Sequence, residues 1–144
     1  MKHTVLVTGK NTALGNKLIE GFLSEGFQVI ATVKSEKDIV TSGEVVDKNI
    51  VMLPWNRRSP LSARNVVLGG LNAFGAIDEA LILYTPAGDS RQLHELPAPV
   101  IEEMIDSQIK SQFFMLKEIL LHFQRERKGI MSLIMHTEGT DTLA

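Results

Sequence analysis

The run Val5-Leu6-Val7 leads straight into the turn TGKNTALG, Thr8 to Gly15, and the turn leads straight into a helical period. A short apolar run without alternation reads as a strand buried on both faces, as inside a parallel sheet. Leu14, Leu18, Ile19, Phe22 and Leu23 then recur at helical spacing, with Gly26 placed to end the helix. A buried strand followed by an amphipathic helix restricts the fold strongly. The helix must cross over and cover the sheet, and the next strand runs parallel to the first.

The same unit recurs along the chain. Phe27 to Val33 (FQVIATV) reads as a second strand, and Ile50 to Leu53 (IVML) as a third, broken by Pro54. Ala80 to Tyr84 (ALILY) reads as a fourth and Ile130 to Met135 (IMSLIM) as a fifth. Residues 34–48 are polar and weakly periodic, with a short helix expected around Glu36 to Val40. Ser59 and Pro60 form an N-cap and first-turn pair for a helix running to about Phe74. Gly69 and Gly70 inside it each cost ~1 kcal/mol relative to alanine, which points to close backbone packing or a break.

The clearest helix spans about Pro99 to Lys128. Ile101, Met104, Ile105, Ile109, Phe113, Leu116, Ile119, Leu120 and Phe123 form its apolar face. Glu102 and Glu103 at its start and Arg125, Arg127 and Lys128 at its end complement the helix dipole, and Gly129 closes it. Right-handed crossovers make the whole an α/β fold: a three-layer, doubly wound parallel sheet, Rossmann-like, of about five strands in the order 3-2-1-4-5. One domain over residues 1–144 is expected.

Composition removes several function classes. A formal charge of −2 supplies no basic excess for gripping nucleic acid. There is no cysteine, so disulfides, thiolate catalysis and cysteine-ligated zinc are excluded. No apolar run approaches the roughly 20 residues of a membrane helix, and the N-terminus does not read as a signal peptide. The expected address is the cytoplasm. His3, His94, His122 and His136 are scattered without metal-ligand spacing. Neither a phosphate loop of the GxxxxGK type nor a GxSxG nucleophile elbow occurs.

In a doubly wound sheet the ligand crevice lies beyond the carboxyl ends of the strands, where the strand order reverses. The turn after the first strand is therefore the candidate site. Gly9 permits a tight turn, and Gly15 lets helix and strand pack closely. The helix N-terminus near Ala13 and Leu14 presents free N–H groups suited to a pyrophosphate. Asn11 and Thr12 add side-chain donors for phosphate or ribose. The same residues also serve a tight turn that binds nothing.

Thr8, Gly9, Ala13 and Gly15 stand in the spacing TGxxxAxG, which resembles the TGxxxGxG fingerprint of the short-chain dehydrogenase/reductase family, with Ala13 at the middle glycine. The resemblance implies an NAD(P)-binding oxidoreductase fold with the cofactor held by Thr8, Gly9, Asn11, Thr12, Ala13, Leu14 and Gly15. At the end of the second strand, Thr32-Val33-Lys34-Ser35 carries no acid for a ribose 2′-hydroxyl. Lys34 and Ser35 therefore favour NADP(H) over NAD(H), unless Lys34 is simply a solvated lysine. After the fourth strand the family's NNAG is matched by Thr85-Pro86-Ala87-Gly88 at its last two residues, which adds Gly88 to the cofactor-binding set.

The rest of the family pattern is not matched. Leu53-Pro54-Trp55-Asn56 offers no aspartate for an adenine edge, and Trp55 is expected to pack or to lid an apolar edge. Gln108 lies near the family's relay asparagine. Past the fifth strand stand His136 and Thr137 but no serine. The single tyrosine, Tyr84, lies in the fourth strand with no lysine four residues on, so no residue takes the roles of the family's Tyr-x-x-x-Lys pair. No catalytic residue is assigned.

The long helix carries more apolar positions than one sheet face needs. A homo-oligomer is expected, formed through the helix near residues 99–128 or through the edge of the fifth strand. Three readings stand: the front of a longer reductase, a binding protein without turnover, or a dimerisation module with a vestigial pocket.

Overall fold

The computed structural model describes residues 2–40, 47–84 and 91–135. Strands β1 (Thr4–Val7), β2 (Gln28–Val33), β3 (Ile50–Pro54), β4 (Glu79–Tyr84) and β5 (Ile130–Met135) form one parallel sheet in the order β3-β2-β1-β4-β5. This is the expected order, and the strand ends fall within one residue of the sequence reading. Helix α1 (Ala13–Ser24) covers one face; α3 (Pro60–Phe74) and α5 (Ser111–Glu126) cover the other. The short α2 (Lys37–Val40) follows β2.

Strand alternation divides the core in two. In register, Leu6 lies beside Ile30 and Ala80. With Ile82 they face α3 and α5 and pack on Val66, Val67, Met115 and Ile119. Val5, Val7, Val29, Ala31, Leu81 and Leu83 face the other way, onto Leu14, Leu18, Ile19 and Phe22 of α1. The three central strands are thus apolar on both faces, which is why β1 reads as an unbroken apolar run.

The helix punctuation follows the sequence. Thr12 caps α1 and Ser59 caps α3, each accepting from the N–H three residues on. Gly26, with φ +85°, turns the chain out of α1. The Gly69–Gly70 pair does not break α3. A Cβ on Gly70 would run into the Ile30 side chain, and one on Gly69 would sit 3.0 Å from Leu53 Cδ1. The glycines let α3 lie directly on β2 and β3.

The long helix differs from expectation in two ways. It begins as α4 (Ala98–Met104), passes through a π turn at Ile105–Lys110, and only then continues as α5. It ends at Glu126, with Arg127 in the left-handed conformation at φ 57°, rather than continuing to Lys128. Its apolar positions also divide. Met115, Ile119 and Phe123 are buried in the core. Ile105, Ile109, Phe113 and Leu120 are exposed by 40, 46, 67 and 50%. One wide stripe in the sequence is two faces in space. At the sheet edge, β5 exposes Ile130, Leu133 and Met135. Among the described residues, no helix is long and apolar enough to cross a membrane.

Candidate functional site

The carboxyl ends of β1, β2 and β3 open together at the point where the strand order reverses between β1 and β4. The turn after β1 is held by hydrogen bonds to the neighbouring strands β2 and β4 and by bonds of its own. Thr8 is fully buried; its N–H donates to the Leu81 carbonyl at 3.1 Å, and its hydroxyl accepts from Leu83 N–H at 2.9 Å. Gly9 takes φ +90°, a conformation that favours glycine, and its N–H donates to Thr32 Oγ1 at 2.9 Å. Lys10 N–H donates to the Thr32 carbonyl at 3.0 Å, which ties the turn to β2.

Thr12 then closes the loop. Its hydroxyl donates to the Gly9 carbonyl at 2.8 Å and accepts from Gly15 N–H at 3.0 Å. Gly15 is buried against that same carbonyl, and a Cβ there would overlap it. Ala13 and Leu14 occupy the first two helical positions, where N–H groups have no intrahelical acceptor. Ala13 is exposed, whereas the Leu14 side chain packs against the core on the α1 side.

A cleft of about 320 Å³ adjoins this turn. Gly9, Asn11 and Thr12 form one wall, and Thr32, Val33 and Lys34 at the end of β2 form the next. Trp55 and Arg57, just past β3, and Ser107 and Gln108, in the π turn, complete it. Of the cofactor-binding residues expected from the sequence, the cleft brings together Gly9, Asn11, Thr12 and Lys34, and it adds Trp55 and Gln108, which the sequence reading left outside that set. Thr8, Ala13, Leu14 and Gly15 support the turn from behind or beside it. Ser35 is exposed away from the cleft, and its N–H donates to Asp38 Oδ2 at 3.1 Å. Gly88 lies outside the described residues, as do Thr85, Pro86, Ala87, His136 and Thr137.

Trp55 and Arg57 define the far side. Trp55 N–H donates to the Val33 carbonyl at 2.8 Å, which pins the chain after β3 to the end of β2. Trp55 is 4% exposed and belongs to the core, as the packing expectation had it, while its indole N–H has no partner among the described residues. The Arg57 guanidinium carbon sits 4.6 Å from the centre of that ring. Burial lowers the Arg57 pKa from its ordinary value. The neighbouring Arg58 instead turns outward and pairs with Glu103. Arg57 and Ser107 escaped the sequence reading, and Thr32 was read only as the end of the second strand. A cation two residues after the tryptophan that follows the third strand is the signal that Arg57 carried.

The family model described as short chain dehydrogenase matches residues 3–140. Among curated proteins, the chain is 26% identical over 137 residues to the 3-oxoacyl-(acyl-carrier-protein) reductase FabG of Salmonella typhimurium. The match covers 94% of this chain and 55% of that protein, so the chain spans about half the length of the curated relatives it matches. Among solved structures, the 3-ketoacyl-ACP reductase of Sinorhizobium meliloti 1021 superposes with a TM-score of 0.79 at 19% identity, covering 97% of this chain and 56% of that one. ElxO with NADP bound gives a TM-score of 0.79 at 22% identity, covering 92% and 55%. These likenesses show the fold. Sheet order, glycine turn and a family match over nearly the whole sequence agree: the chain belongs to the short-chain dehydrogenase family.

Proposed function

We propose that the chain is the cofactor-binding portion of a short-chain oxidoreductase and that its cleft takes NADP(H) in preference to NAD(H). The observation that carries this reading is the turn itself. Gly9 holds a left-handed φ, Gly15 lies against the Gly9 carbonyl, and Thr12 closes the loop. Together they set the start of α1 beside a cleft whose described lining includes two cations and no carboxylate. That arrangement fits a phosphate-bearing nucleotide. A nicotinamide cofactor supplies hydride chemistry when bound. The chain's part is to cradle the pyrophosphate with the N–H groups of Ala13 and Leu14, and to meet the nucleotide with Asn11, Thr12 and Lys34. Thr8, Gly9 and Gly15 keep the turn in shape. Ser35 and Gly88 belong to the cofactor-binding set by the family resemblance alone.

The sequence given has no Tyr-x-x-x-Lys pair, since its one tyrosine is Tyr84 and Gly88 stands four residues on. Cofactor binding without turnover is therefore the expected behaviour of this chain. The experiment is a titration of the purified chain with NADPH, NADH and their oxidised forms, followed by calorimetry. Saturable binding that favours NADPH and weakens in Gly9→Ala and Lys34→Met is the expected result. Absence of binding at millimolar cofactor refutes the reading. A second reading, self-association, is favoured by the outward stripe of Ile105, Ile109, Phe113 and Leu120. An apolar stripe of this length on a helix suits a second copy of the chain. The absence of cysteine supports a cytoplasmic address.

A further inference from the structure

The walls of the cleft differ in how firmly they are held. On the β3 side, Trp55 packs in the core and its backbone N–H is tied to the Val33 carbonyl. The wall made by Ser107 and Gln108 belongs to the π turn, which lies between a fixed element and a loose one. After the turn, α5 is anchored by Ser111 and Met115, both fully buried. Before it, α4 has no fully buried residue. A segment with so little burial opens at a lower free-energy cost than the core.

The π turn is built as a hinge. Ser107 Oγ donates to the Glu103 carbonyl at 2.8 Å, and Ser111 Oγ donates to the Ser107 carbonyl at 2.7 Å. Serine hydroxyls bonded back to the carbonyl four residues earlier loosen and bend a helix, and so does a π turn within a long one.

Glu103 connects this hinge to the opposite wall. Its carbonyl holds the hydroxyl of Ser107, a lining residue, and its carboxylate pairs with the Arg58 guanidinium. Arg58 directly follows Arg57, which lines the β3 side. A single ion pair thus ties the loose wall to the fixed one. The Arg58 and Glu103 side chains are 60 and 49% exposed, so the tie is weak and readily broken. A buried pair in that place would lock the two walls together.

We propose that Arg58 and Glu103 form a latch across the cleft, that α4 swings about the π turn when the latch opens, and that nucleotide enters and leaves through that opening. The ligand rests on the reading of the cleft as a nucleotide site; the motion does not. Arg58 and Glu103 are positioning residues, since neither lines the cleft.

The test compares Glu103→Gln, Arg58→Glu and the exchange variant Arg58→Glu/Glu103→Arg with the wild type, all as the full chain. Trp55 is the only tryptophan and stands in the fixed wall, so quenching of its emission by acrylamide, which is uncharged, reads the opening without any nucleotide. Release of bound NADPH into excess NADP+, followed by nicotinamide emission, reads the gate. A half-exposed pair is worth enough for Glu103→Gln to raise both quenching and release roughly 2- to 5-fold. Arg58→Glu, which sets two carboxylates against each other, is expected to raise them further, and the exchange variant to bring both back toward wild type. That return also guards against a folding defect. Quenching unchanged in the single variants, or raised and not restored by the exchange, overturns the latch. NADPH that leaves every variant at one rate overturns the gate. A wild type that binds no NADPH, with quenching still following the pattern, overturns the nucleotide reading and leaves the latch standing.

Discussion

Replacing Gly15 by alanine tests the packing of the turn, and replacing Gly21 by alanine in the same helix is its control. In isolation, alanine is preferred over glycine in a helix by about 1 kcal/mol, so propensity favours both changes. At Gly21 nothing lies within 4 Å of the added Cβ, and the backbone is helical. Gly21→Ala should therefore stabilise the chain by about 0.5–1 kcal/mol. At Gly15 the new methyl would occupy the position of the Gly9 carbonyl, a backbone group already accepting from Thr12 N–H and Thr12 Oγ1. It cannot swing aside as a side chain would. Overpacking of this kind costs about 1–3 kcal/mol or somewhat more, and the propensity gain offsets part of it. A net loss of about 2 kcal/mol is expected, and at this chain length each kcal/mol moves Tm by roughly 3 °C. Thermal unfolding followed by circular dichroism should show Gly15→Ala melting some 6 °C low and Gly21→Ala melting slightly high. Equal shifts of the same sign would refute the argument, because the two sites would then differ only in propensity.

Thr8→Val removes a buried hydroxyl that accepts from Leu83 N–H and leaves that donor without a partner, at a cost of about 1–3 kcal/mol. An unchanged urea midpoint would show that the β1–β4 staple is not made. Phe113→Glu places a charge on a side chain that is 67% exposed. Sedimentation should show a self-associating wild type and a monomeric variant with Tm within about 2 °C of it, since exposed substitutions change stability little. A wild type that is itself monomeric at high concentration would end the oligomer reading.

The sheet was legible because its strands declare themselves locally. β5 is Ile130–Met135 in both sequence and structure, and β2 and β4 differ by one residue, because continuous apolar runs bounded by glycine, proline or charge leave little room for error. The caps at Thr12 and Ser59 were legible for the same reason: a short hydroxyl side chain at the N-cap has one local job. The long helix was legible in extent but not in geometry. Nothing in Ile105–Lys110 disturbs the apolar period, yet this segment is a π turn. The single apolar stripe read from the sequence could not be divided into a core face and an outward face without knowing which side α3 occupies.

The site was legible where it is local and hidden where it is assembled. The fingerprint turn spends most of its polar groups on the scaffold: Thr8 on Leu83 of β4, Gly9 and Lys10 N–H on Thr32 of β2, and Gly15 N–H on Thr12 within the turn. Among the described residues the N–H groups at Asn11, Ala13 and Leu14 and the Asn11 side chain meet no partner, and on the proposed reading these are what the nucleotide takes. Any chain with this turn would present the same backbone donors, so they can supply affinity for a pyrophosphate without distinguishing one nucleotide from another. On the proposed reading, discrimination falls to side chains that the sheet order delivers to the cleft from elsewhere, Lys34 first among them. Changes at Thr8 or Gly15 should therefore move stability and affinity for all nucleotides together. Changes at Lys34, which is exposed, should move the ratio between two nucleotides and leave the melting temperature nearly where it was.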